Sequence, residues 1–196
     1  MTGNQQTDAE AVEPRDWLAR AEREGTDATD ALAQFDTLPA VSLAEMRGQW
    51  RGTGLPTGHA LDGLLEAYGW AGKAFSDVET AHPLLFGQAG ALVAIDPRWL
   101  PGARLGGTRL ARSRLAILAF RLAHPLLRTR QPQARLRFVT HRGVTTAAMI
   151  YDRQPIIDLF RRIAPGILLG LMDMRGQPPF FFVLRAVDRT AEGWPT

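Results

Sequence analysis

Seven or eight short strands joined mostly by turns predict a mainly β protein. The expected fold is a closed or nearly closed antiparallel barrel with short helices and a helical N-terminal arm. Two observations carry this. Turn signals recur at short intervals: Leu55-Pro56-Thr57-Gly58, Ser76-Asp77, Asp96-Pro97, His141-Arg142-Gly143 and Asp173-Met174-Arg175-Gly176. The C-terminal half also lacks the helices that a parallel sheet needs between successive strands.

Taken in order, residues 1–13 are polar and aperiodic, and read as disordered. Pro14 suits the first position of a helix that Gly25 ends. Thr26 or Asp27 starts a second helix through Phe35, closed by Pro39. Ser42-Leu43-Ala44-Glu45 is a capping box. Residues 49–53 form a short strand. Leu61, Leu64, Leu65 and Tyr68 fall on one face of a helix with Thr57 as its cap. Trp70–Phe75 and Ala91–Ile95 are strands, and His82–Phe86 is a short buried segment. Arg109–His124 is apolar on nearly all sides and reads as a helix. Ala134–Thr140 and Val144–Tyr151 form a hairpin of half-buried strands. Ile156, Ile157, Leu159, Phe160 and Ile163 predict a short helix, followed by strands at Ile167–Met172 and Phe180–Val187.

These elements divide the chain into an acidic arm, 1–34, and one barrel unit, 35–196. The unit comprises an N-terminal half (35–97), a basic apolar helical insertion (98–133) and a C-terminal half (134–190). The charge is asymmetric. Residues 1–45 hold ten carboxylates against three arginines, a net of −7, so the remainder carries +10 toward the chain's +3. Between Arg98 and Arg142 there are eleven arginines and no acid. That block suits an anionic ligand, an anionic membrane surface or pairing with the acidic arm. Nucleic acid is not the expected partner, because the block lacks an aromatic stacking pattern and any DNA or RNA motif. There is no cysteine, which excludes disulfides and thiolate metal sites and is consistent with a cytoplasmic location. The N-terminal residues have neither the basic nor the apolar region of a signal peptide. No apolar run approaches the ~20 residues of a membrane-spanning helix.

Gly48-Gln49-Trp50-Arg51-Gly52 fits the pattern Gly-x-Trp-x-Gly. With Leu55-Pro56-Thr57-Gly58-His59, Gly69-Trp70, Gly72-Lys73 and His82-Pro83-Leu84-Leu85-Phe86, it resembles the GXWXG family. Tyr151–Asp158, Leu169–Asp173 and Phe180-Phe181-Phe182 resemble the domain of unknown function that accompanies it. Ala164-Pro165-Gly166 departs from the acidic residues expected there. A looser similarity links Gly48, Trp50, Gly52 and Gly54 to lipocalin, fatty-acid-binding and nitrobindin barrels, in which the tryptophan plugs the closed end. The resemblance implies a lipocalin-like barrel. Trp50 would be the plug, Gly48 and Gly52 would permit close approach, and Arg185 would stack on the indole.

The function expected from this shape is non-enzymatic binding of a small hydrophobic ligand, a fatty acid or similar lipid with an anionic head group. Phe75, Phe86, Phe138, Met149, Met172 and Phe181 are the apolar lining candidates; Lys73, His59, Asp62 and His82 are the polar ones. The alternative is an enzyme using His59, Asp62 and His82 in the pocket, and a third reading is haem held by a histidine. No catalytic residue, metal or other cofactor is assigned. Asp152, Asp158 and Asp173 read as turn or helix-start residues. No Lys-Ser/Thr follows the glycines of residues 52–58, so they form no phosphate loop.

Overall fold

The architecture is that of a computed structural model, which describes residues 5–87, 91–97, 108 and 110–187. Two helices, α1 (Gln5–Glu24) and α2 (Ala28–Thr37), precede β1 (Gly48–Gly54). Next come α3 (Leu64–Tyr68), β2 (Trp70–Phe75), β3 (Ala81–Phe86) and β4 (Val93–Ala94). The helix α4 (Arg114–Leu127) leads into five consecutive strands: β5 (Ala134–His141), β6 (Val144–Tyr151), β7 (Ile156–Ala164), β8 (Ile167–Met174) and β9 (Phe180–Ala186). Residues 1–4 of the expected disordered tail, and 98–107 and 109 of the basic block, lie outside the described residues.

The strands form one nine-stranded antiparallel sheet in the order β2-β1-β9-β8-β7-β6-β5-β3-β4, with β2 also pairing with β3. The fold is mixed α/β, and the sheet does not close into the expected lipocalin-like barrel. The interruption lies between β3 and β5, which share a single residue pair, Ala81↔Ala134, whereas β5 and β6 share eight. Proline supplies the reason. Pro83 lies two residues beyond Ala81, on the same hydrogen-bonding side, and has no N–H to continue the ladder. Beyond that point β3 pairs with the two-residue strand β4, at Leu85↔Ala94 and Phe86↔Val93.

Both faces of the sheet are buried. The concave face carries Trp50, Trp70, Phe75, Met149, Phe160, Phe180 and Phe182. The opposite face carries Leu159, Ile163, Leu169, Phe181 and Val183 against Trp17, Leu18 and Phe35 of α1 and α2. This two-sided burial explains the largest misreading of an element. Residues 156–163 are a strand, not a helix. Ile156 and Phe160 point to one core and Leu159 and Ile163 to the other, so apolar residues run continuously and the period-2 signal disappears. It also places Phe181 on the helix-covered face, opposite the expected interior. Phe138 is 55% exposed, so it lines no interior at all. The N-terminal helix starts at Gln5, upstream of Pro14, which lies within it. The expected helix at 109–124 is α4, which runs on through Pro125 to Leu127.

Candidate functional site

Lys73 and Asp158 meet in the interior. The ammonium Nζ lies 2.8 Å from Asp158 Oδ2, with the side chains 4% and 1% exposed. Lys73 comes from β2, directly opposite Trp50 of β1, and Asp158 comes from β7, opposite Met149 and Met172. The pairing of β2 with β3 shifts register on both sides of Gly72, a bulge that re-aims the neighbouring lysine. Only glycine fits there. Its φ is +140°, and a Cβ would sit 1.9 Å from the Trp50 carbonyl oxygen.

Tyr151, at the end of β6, completes the cluster. Its hydroxyl lies 3.5 Å from Lys73 Nζ and donates to Asp158 Oδ2 over 3.4 Å. Lys73 also donates to the Pro83 carbonyl at 3.3 Å. The ammonium sits among three aromatic rings, 4.9 Å from the centroid of Phe182, 5.5 Å from Trp70 and 5.8 Å from Tyr151. Burial pushes the Asp158 carboxyl above its ordinary range, with Lys73 opposing. Burial, reinforced by the neighbouring Asp158 charge, pushes the Tyr151 phenol well above its usual value, so it remains a donor at neutral pH. Asp158 Oδ1 is buried and accepts no hydrogen bond among the described residues.

The three polar groups line a cavity of about 120 Å³ whose other walls are mainly apolar, among them Leu61, Leu64, Phe86 and Ile156, with Gln154 as a further polar side chain. A cavity of this order holds a benzene-sized molecule, whereas ordinary small-molecule sites run to ~300 Å³ and above. This overturns the fatty-acid expectation. Among the described residues there is no closed hydrophobic pocket of the lipocalin type, because the concave face is filled by its own aromatic side chains. The haem-barrel reading borrowed the same shape and falls with it.

Comparison with known proteins places this arrangement. A model of the GXWXG protein family matches residues 33–90, and one of a domain of unknown function, DUF4334, matches residues 132–186. A crystal structure of a protein from Thermomonospora curvata is 31% identical, with a TM-score of 0.64. The match covers 89% of this chain and 99% of that one. The chain belongs to the GXWXG family. No curated protein matches it. Lys73 comes from the family's first matched segment and Tyr151 and Asp158 from the second, so the cluster joins the two halves.

Of the sequence-derived site residues, Lys73, Phe86 and Met172 line the cavity. Phe75 and Met149 are fully buried in the surrounding core. The enzyme reading placed His59, Asp62 and His82 in a lipocalin-type pocket, which the described residues do not form, and none of the three lines this cavity. Asp62 Oδ2 accepts from the backbone N–H groups of Thr57 and His59, at 2.9 Å each. His59 Nδ1 accepts from Leu61 N–H, and its ring lies against Phe180. His82 lines a different cleft, beside Gln49 and Arg128. Burial lowers the pKa of both histidines.

The motif residues serve the backbone around the site. Trp50 is buried and donates its indole N–H to the Met46 carbonyl at 2.8 Å. A Cβ on Gly52 would lie 2.3 Å from the Trp70 ring, so this glycine makes room for one wall of the lysine's aromatic box. Gly48 adopts φ +125°. Arg185 does not stack on Trp50 in the contacts described; it pairs with Glu22 of α1 at 2.8 Å. Sequence reasoning assigned no role to Tyr151 and took Asp158 for a helix-start residue.

Proposed function

We propose that the chain is an acid–base enzyme that moves a proton on a small, mainly apolar carbonyl compound. The observation that carries this reading is a buried Lys–Asp pair with a tyrosine hydroxyl, set on the wall of a mainly apolar cavity and leaving one carboxylate oxygen unpartnered. Asp158 Oδ1 takes a proton from the carbon beside the carbonyl, and the C–H electron pair becomes the enolate double bond. The carbonyl oxygen gains the negative charge, held by the Lys73 ammonium and by the Tyr151 hydroxyl, whose single proton turns from Asp158 Oδ2 to the enolate oxygen as the carboxylate is protonated. Return of the proton to the same carbon, or to a conjugated one, restores Asp158. Its raised pKa makes it a stronger base than an exposed carboxylate.

Deuterium uptake by cyclohexanone and cyclopentanone in D2O, followed by proton NMR, tests the reading. Uptake above the buffer rate is expected. Tyr151→Phe, which loses one donor, should slow it about 10²-fold, and the paired Lys73→Met/Asp158→Leu variant should abolish it. Folded protein that exchanges neither ketone faster than buffer would rule the activity out for this class.

A further inference from the structure

Helix α4 carries apolar residues on two opposite faces. Ile117 and Phe120 face the core, with Phe120 packed on Tyr68 and Phe86 at ring separations of 4.9 and 5.3 Å. The outer face is a leucine stripe. Leu115 is 79% exposed, Leu122 73% and Leu126 86%, with Leu118 at 54%. These positions recur at i, i+3, i+7 and i+11, a single line along three turns of helix. Water is a poor neighbour for such a line, and the sum is far beyond a scattered surface leucine.

The charges around it identify the occupant. Arg114 and Arg121 are exposed, two turns apart on one flank of the stripe, and exposed Arg128 follows the helix end. No acidic residue occurs between Pro97 and Arg142. A second copy of this helix laid on the stripe would bring arginines against arginines. A bilayer with anionic head groups offers hydrocarbon for the leucines and negative charge for the guanidinium groups. At 14 residues α4 is about 21 Å long, too short to cross the ~30 Å hydrocarbon core. Among the described residues no helix is long and apolar enough to do so.

We infer that α4 is an interfacial anchor, lying in the plane of an anionic membrane with Leu115, Leu118, Leu122 and Leu126 inserted and the arginines at head-group level. The inference is independent of the chemistry at Lys73. Docking sets the Tyr68–Phe86 wall of the cavity one helix thickness from the lipid.

Vesicle flotation of the full chain tests this, with phosphatidylcholine vesicles compared to ones containing about a third phosphatidylglycerol. Binding to the anionic vesicles, weakened by added salt, is expected, with little binding to the neutral ones. Arg114→Gln/Arg121→Gln should reduce the partition coefficient about 30-fold, from roughly fivefold per basic residue. Leu115→Ser/Leu122→Ser/Leu126→Ser should abolish binding while the thermal melt stays near wild type, since all three side chains are exposed. Equal, salt-independent binding to both vesicle types overturns the anchor, as does no binding by folded protein. A dimer in light scattering that the serine variant converts to monomer overturns it too, giving the stripe to a second copy.

Discussion

Lys73 is the only lysine among the chain's 23 lysine and arginine side chains, and it is buried. That contrast was visible in the sequence, as was its neighbour Gly72. Asp158 was visible only as one of three aspartates near turns, and Tyr151 not at all, because their meeting depends on three strands far apart in the chain. The choice of lysine over arginine has a physical basis: a compact ammonium fits between Trp70, Tyr151 and Phe182, where a planar guanidinium fork does not. Such a pair is poor material for stability, since both ions lose their water. Asp158→Asn should therefore cost about 3–5 kcal/mol by leaving the ammonium without its counter-ion, and Lys73→Met/Asp158→Leu should recover that loss or exceed wild type. Urea midpoints of the three proteins decide it. A double variant as unstable as Asp158→Asn would mean that the pair is there to hold the fold together.

Among the elements, turns, hairpins and the strands with one wet face were legible in the sequence, and β7 was not. Its residues are apolar on both sides because a second core lies under α1 and α2. The helical arm is thus part of the fold's interior. Phe35 of α2 is fully buried, 6.4 Å from the ring of Phe181 and 5.2 Å from the guanidinium carbon of Arg161. Arg161 is itself fully buried, and its guanidinium nitrogens make no hydrogen bond among the described residues, so the Phe35 ring, with the more distant Asp36 charge, compensates for its burial. Phe35→Ala should cost about 3–5 kcal/mol. At roughly 2–4 °C per kcal/mol for a chain of this length, the melting temperature falls by about 6–20 °C. Leu118→Ala, at an exposed position, should move it by no more than about 2 °C. A Phe35→Ala melt within a degree or two of wild type would show that α2 is a loosely attached arm.

At the scale of the whole molecule, strand pairing and handed-over edges decide what local sequence cannot. The antiparallel character of the C-terminal half followed from its turns. The failure to close followed from one proline at one seam, where a residue pair count of one replaces a ladder. The acidic arm and basic body, legible as opposite charges, do meet, through Glu22–Arg185, and Asp36, just beyond the arm, pairs with Arg142. Such exposed pairs contribute little each. The pH dependence of the fold comes instead from groups that burial disturbs. His59 and His82 have folded pKa values below the ordinary 6.5, with desolvation the main cause in each. Below pH 6.5 the unfolded chain takes up protons that the folded chain resists. Their contribution is complete above 6.5 and is lost as pH falls toward the folded values. Asp158 acts in the opposite sense: its raised pKa means that the folded state holds its proton to higher pH, so acid relieves part of the cost of its burial. Unfolding free energy from urea titration should therefore be lower at about pH 5.5 than at about pH 7.5, where both histidines are neutral in either state. The His59→Gln/His82→Gln variant should remove that decline or reverse its sign, leaving the Asp158 contribution exposed. If the variant loses as much stability on acidification as wild type, the proton uptake responsible lies elsewhere in the chain.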